Sequence, residues 1–147
     1  MALSADASPV IRNGATMAMK VLTAAVVYNF ALCSHDTTTG AIKPYDGTGA
    51  DRLVGWHFGS TVTGLTTAAV PPRAFINPGG FVAESLTVAT LAGSDADLGK
   101  PVWATDDGTY TVTDPGGTDQ QVGWVVRRRS STTADVYLKN VMGQVGS

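Results

Sequence analysis

Seventeen glycines and seven prolines divide this chain into short pieces, and that punctuation is the strongest limit on what it can fold into. Four turn signatures stand out: Asp46-Gly47, Asn77-Pro78-Gly79-Gly80, Asp107-Gly108 and Asp114-Pro115-Gly116-Gly117. Asp-Gly suits the left-handed positions of a tight hairpin turn, and proline removes a backbone donor. The runs between them are rich in Val and Thr, which fit a pleated sheet. Strands are predicted at 21–31, 52–58, 68–76, 80–88, 101–105, 109–113, 121–128 and 135–140. No stretch of ten residues holds the period of a helix, and "SDADLGK" from Ser94 allows one short turn. The expected fold is all-β, a small barrel or sandwich of short antiparallel strands. It occupies 20–147 as a single domain. Residues 1–19, "MALSADASPVIRNGATMAM", keep neither period and are expected to be a flexible or extended arm, with an ordinary frayed terminus as the alternative.

Composition narrows the function. A chain of 147 residues with 44% hydrophobic residues buries a real core. Charged residues are only 15%, low for a free-standing soluble monomer, which suggests that other protein covers part of the surface. The formal net charge of −2 lacks the basic excess of a nucleic-acid binder. The single cysteine, Cys33, leaves no internal disulfide. Residues 1–20 lack a secretory pattern, and no apolar run approaches the roughly 20 residues of a membrane helix. Synthesis in a cytoplasm is expected, with no membrane partner.

The usual catalytic constellations do not assemble in the sequence. His57 sits between aromatics in "GWHFG" and reads as a packed histidine, and His35 stands apart from it. One cysteine and two separated histidines support neither a triad nor a zinc site. Asp95, Asp97, Asp106 and Asp107 lack calcium-loop spacing and read as turn residues. "GSDADLGKP" from Gly93 approaches a phosphate-binding loop, but five residues separate Gly93 from Gly99 and Pro101 follows Lys100. A phosphate loop needs four residues there and a hydroxyl after the lysine. No catalytic residue, cofactor or metal is therefore expected, and the chain is not read as an enzyme.

"GWVVRRRSSTTAD" carries three of the ten basic residues, Arg127, Arg128 and Arg129. Strand alternation would put Val125, Arg127 and Arg129 on one face, with Val126 and Arg128 on the other. The triplet marks a strand end, either solvated or placed at a protein interface, where arginine is favoured. Trp56, Trp103 and Trp124 fall in strand-like runs and read as core residues. A weak repeat also runs through the chain. Lys43-Pro44, Asp46-Gly47-Thr48, Val54-Gly55-Trp56 and Thr66-Thr67-Ala68 reappear in order as Lys100-Pro101, Asp107-Gly108-Thr109, Val122-Gly123-Trp124 and Thr132-Thr133-Ala134. If real, it means one strand–turn–strand unit used twice.

Residues 37–88, "TTTGAIKPYDGTGADRLVGWHFGSTVTGLTTAAVPPRAFINPGGFVAESLTV", resemble the head decoration proteins of lambda-like tailed bacteriophages. The likeness lies in the "DGT" turn, the apolar Val-Gly strand, the Thr-rich segment and the Gly80-Phe81 pair. "DLGKPVWATDDGTYTVTDPGGTDQQVGWVV" also looks like another group of phage capsid cement proteins. The resemblance implies a β-tulip barrel. It implies a homotrimer at three-fold or quasi-three-fold sites on the outer surface of an expanded virion shell, stiffening that shell. The major capsid protein would be the partner. In the lambda type the N-terminal arm adds a strand to capsid protein, so Ser8, Pro9, Val10, Ile11 and Arg12 become candidate shell contacts. Arg127, Arg128 and Arg129 become candidate subunit or shell contacts. A tail, neck or fibre-associated protein and a module binding a surface glycan are the alternatives.

Overall fold

A computed structural model describes residues 16–48, 51–65, 71–117 and 119–145, and the backbone of 10–12. The fold is all-β, as the turn spacing predicts. Among the described residues it comprises thirteen short strands and one 3-10 turn at Asp95–Asp97. The strands are β1 (Val10–Arg12), β2 (Met17–Lys20), β3 (Val26–Val27), β4 (Leu32–His35), β5 (Ile42–Pro44), β6 (Leu53–His57), β7 (Val62–Thr63), β8 (Arg73–Asn77), β9 (Phe81–Thr87), β10 (Pro101–Ala104), β11 (Tyr110–Thr111), β12 (Gln120–Arg128) and β13 (Thr133–Leu138).

They divide over two curled sheets and one small pair. The first sheet runs β2-β8-β6-β4-β5, the second β1-β9-β13-β12-β10-β11, and β3 pairs with β7. A short parallel bridge curls each sheet: Val21 to Ile42 joins the end strands of the first, and Ala89, just after β9, reaches Thr111 on the end strand β11 of the second. Leu22 N–H donates to Ile42 C=O at 2.7 Å, and Ala89 N–H to Tyr110 C=O at 2.8 Å.

The two sheets repeat one topology. Taken in chain order, β2, β4, β5, β6 and β8 occupy the same places as β9, β10, β11, β12 and β13. The Val-Gly-Trp pair of the sequence repeat falls on equivalent strands, β6 and β12. In each the neighbouring strand skips the valine: Cys33 pairs with Gly55 and Ser34 with Leu53, while Val102 pairs with Gly123 and Trp103 with Gln121. Such a bulge turns the residue after the glycine outward. Each glycine also admits a close strand: a Cβ on Gly55 would lie 2.1 Å from Asn77 O, and one on Gly123 1.9 Å from Tyr137 O. The other motif pairs do not correspond. Lys43-Pro44 lies on β5 whereas Pro101 opens β10, and the two Asp-Gly-Thr turns follow β5 and β10, which are not equivalent. Thr66-Thr67-Ala68 lies outside the described residues.

Two cores follow from this layout. Val21, Val27, Ala31, Cys33, Ile42, Val54, Ala74 and Ile76 fill the first sheet. The second core joins Val102, Val122, Val125, Val136 and Leu138 to residues of the first half, among them Leu32, Leu53 and Trp56. The C-terminal segment crosses back, with Leu53 N–H donating to Gln144 C=O at 2.9 Å and Arg52 bridging Val145. His57 is fully buried. Its Nδ1 accepts from Phe75 N–H at 3.0 Å, so Nε2 donates to Ser60 C=O at 2.8 Å.

Four expectations change. Residues 21–31 are not one strand: Ala24 (φ 66°) and Phe30 (φ 64°) are left-handed, and turns close at Ala25 N–H to Leu22 C=O and Ala31 N–H to Tyr28 C=O. β4 and β5 are too short, and β5 too interrupted by Pro44, to show a period of two. The β10–β11 turn is organised by Asp106, which accepts from the N–H groups of Gly108 and Thr109 at 2.9 and 2.8 Å. β2 lies across the arm–barrel boundary expected at residue 20, with Met19 packed against the first core.

Asp97 closes the 3-10 turn and carries a prediction. Its fully buried carboxylate accepts from Ala92 N–H (2.8 Å), Gly93 N–H (2.9 Å) and Lys100 Nζ (2.9 Å). The Ala92 N–H does most to lower its pKa, against its burial, with Lys100 and Gly93 adding, and the pKa falls to about 2. A carboxyl depressed on folding adds stability above its ordinary pKa of about 3.9, and that stability is lost as pH falls toward the folded value. Asp97→Asn is therefore expected to lower Tm at pH 7 and to flatten the slope of Tm against pH between about 4 and 2. An unchanged slope in an acid series of thermal melts would remove Asp97 from the account.

Candidate functional site

The arginine end of β12 is shaped by bulges at one level of three neighbouring strands. Pairing slips between Val125 and Arg127 on β12 and between Ala134 and Val136 on β13, opposite left-handed Ser85 (φ 57°) on β9. The expected alternation therefore fails: Val125 is buried, while Val126, Arg127 and Arg128 are all exposed.

The three arginines have different roles. Arg129 is held inside the chain. Its Nε and Nη2 donate to the two Asp135 oxygens at 2.6 and 2.9 Å, and Nη2 lies 3.9 Å from Glu84. Asp135 also accepts from Ser85 N–H at 2.9 Å. Burial pushes the Asp135 carboxyl up, but the Arg129 hydrogen bonds and Ser85 N–H outweigh it and hold it below its ordinary value. This bidentate pair pins the bulges together. Arg127 and Arg128 are exposed and make no salt bridge among the described residues, while Arg127, across the ladder from Asp135, adds its charge to lowering that carboxyl.

Beside them lies an apolar face that the sequence reading assigned to the core. Trp124 is 38% exposed and Tyr137, its neighbour across the ladder, 38%. Their rings stack with centroids 6.4 Å apart, and Lys139 Nζ sits 5.9 Å over Trp124. Val126 (49%) and Leu98 (50%) extend the patch, since Gly99 N–H donates to Val125 C=O at 2.8 Å and brings Leu98 alongside. Exposed aromatic residues on a strand that ends in arginines have the composition of a protein-binding face. Trp56 is fully buried and Trp103 half-buried, so the three tryptophans differ. Alternation alone gave no sign of this, because the bulge, not the period, turns Trp124 outward.

In the arm, the backbone of Val10–Arg12 forms β1, paired antiparallel with β9 through Val10–Glu84, Ile11–Ala83 and Arg12–Val82. Ser8 and Pro9 lie outside the described residues. Of the arm, Val10–Arg12 are thus placed on the second sheet, at the edge of β9 away from β13, and not on the Trp124 strand. Among the described residues no group of three His, Cys, Asp or Glu side chains is placed to hold a metal ion, and no helix is long and apolar enough to cross a membrane.

No protein-family model and no curated protein matches the sequence. Among solved structures, the fold is similar to a chain from "The capsid of Myoviridae Phage XM1", with a TM-score of 0.53 and 17% identity, over 89% of this chain and 86% of that one. At that identity the likeness is one of fold. The near-equal coverages make the two chains similar in length.

Proposed function

We propose that this chain is a structural protein of a tailed-phage virion that binds the outside of the shell and stabilises it, without catalysing a reaction. The observation that carries the reading is the fold shared, over most of both chains, with a chain of a phage capsid. The exposed Trp124 face and the exposed arginines of β12 support it, as does the low share of charged residues in the chain.

In this reading the partner is the major capsid protein, and copies group about a three-fold or quasi-three-fold position. A protein that binds only the assembled shell stabilises it by mass action, and weak contacts repeated over a symmetric lattice sum to a large effect. The arm, Ser8 to Arg12, supplies strand addition: β1 pairs with the edge of β9 within the chain, and on the shell it would pair with a strand of capsid protein instead. Arg127 and Arg128 reach carboxylates of a partner, while Arg129 stays with Asp135 and fixes the strand end that presents them.

Deletion of residues 1–12 tests this directly. The cut removes β1 and stops before β2, and every core residue named above lies beyond it. Binding to expanded shells is expected to weaken by at least about tenfold, the loss of one short strand's hydrogen bonds. Arg127→Ala with Arg128→Ala is expected to weaken binding further while shifting stability by less than about 0.5 kcal/mol. A sedimentation assay with purified shells reads both. Full decoration by the truncated protein would refute the arm's role.

A further inference from the structure

In the chain by itself the arm strand already has a partner. β1 lies antiparallel on β9, with Val10 opposite Glu84, Ile11 opposite Ala83 and Arg12 opposite Val82. The other side of β9 is taken by β13, so β1 covers the edge that β9 would otherwise present bare. A bare edge is a row of unpaired backbone donors and acceptors. The berth is short and bounded at both ends. Left-handed Gly79 (φ 122°) and Gly80 (φ 83°) precede β9, and left-handed Ser85 (φ 57°) turns it out of line just after Glu84. The Ser85 N–H is drawn to Asp135 at 2.9 Å, and Arg129 lies 3.9 Å from Glu84, which fixes that end. The straight edge between these limits is Phe81–Glu84, and β1 pairs with Val82, Ala83 and Glu84 of it.

We propose that the β1–β9 contact is autoinhibitory: the strand that binds the shell is stored on the chain's own second sheet and must leave β9 before it can bind. The proposal rests on the shell-binding reading above and gives it a regulation. Docking fixes Val10–Arg12 against Val82–Glu84, so only a released arm can lay its whole length, Ser8 to Arg12, along a capsid strand. Three paired residues make a weak latch, and a longer strand on the shell displaces it. Until then the apparent affinity is lowered by the fraction of chains whose arm is released.

A disulfide lock reads the contact in the full chain. Directly opposed Cα atoms of an antiparallel pair lie about 4.5–5.5 Å apart, within the span of a disulfide. Arg12→Cys with Val82→Cys is therefore expected to join β1 to β9 on oxidation. Native Cys33 is fully buried, and burial pushes its thiol up, so it stays out of the reaction. In sedimentation with purified expanded shells, the oxidised protein is expected to bind at least about tenfold more weakly than the same protein after reduction, the loss already expected for removing the arm. Amide exchange of the wild-type chain without shells supplies the second readout. At least one amide of Val10–Arg12 is expected to exchange about tenfold or more slowly than in an unstructured peptide of the same sequence. Arm amides that exchange at the unstructured rate overturn the proposal, as do cysteines that fail to join. Oxidised protein that binds shells as well as the reduced form overturns it too, and tighter binding would mean that the capsid strand adds to the outer edge of a docked β1. In both cases the shell reading stands, because binding is seen. No binding by the oxidised, reduced or wild-type protein refutes the shell reading, and the proposal falls with it.

Discussion

Gly123→Ala is expected to cost about 3 kcal/mol or more and to leave little folded protein at 37 °C. The new Cβ would lie 1.9 Å from Tyr137 O, 2.9 Å from Tyr137 C and 3.1 Å from Leu138 Cα. Every one of these is backbone of β13, the central partner of β12, so no side chain can swing aside. Relief requires the two strands to part, which breaks the ladder that carries Val122, Val125, Val136 and Leu138 into the second core. Gly55→Ala should behave alike, with its Cβ 2.1 Å from Asn77 O and a φ of +135° that other residues rarely adopt. Gly40→Ala is the control. It has open space around it and only a left-handed φ of +71°, so about 1–2 kcal/mol is expected. Urea unfolding of the three variants tests the ranking. A Gly123→Ala protein within about 1 kcal/mol of wild type would contradict the close approach of β12 and β13.

The second large effect separates the two equivalent tryptophans. Trp56→Ala removes a fully buried ring between the two sheets and is expected to cost about 3–5 kcal/mol. It also strips Tyr110 OH of its donor inside the core. Trp124→Ala removes a ring from the surface and is expected to cost less than about 1 kcal/mol in the monomer. The sequence gives both residues the same neighbours, Val and Gly before them, so the difference comes wholly from what the fold lays over each. Equal losses for the two variants in thermal and denaturant melts would mean that Trp124 is covered within the chain, and the face described here would not exist.

How much of this was readable in advance depends on the kind of signal. Turn chemistry is local, so the all-β class, most strand positions in the second half and the 3-10 turn at Asp95–Asp97 followed from it. The first half read worse. Left-handed Ala24 and Phe30 break a run that looks continuous, and a non-glycine residue gives no warning of positive φ. The division into two sheets was visible only as the repeated Val-Gly-Trp, because topology lies in pairing and not in spacing. At the candidate site, the arginine triplet was conspicuous, but its separation into Arg129 held by Asp135 and exposed Arg127 and Arg128 depends on two bulges at one level. Trp124 carried no local mark of exposure at all.

The central claim is that this chain is a repeated component of a phage shell. It is tested most directly by its copy number in purified virions of the phage that carries its gene, counted by quantitative mass spectrometry against the major capsid protein. The account predicts a fixed ratio to the shell subunit, in keeping with a site repeated over the whole lattice. A few copies per particle would move the chain to the tail or neck, and its absence from the virion would contradict the account outright.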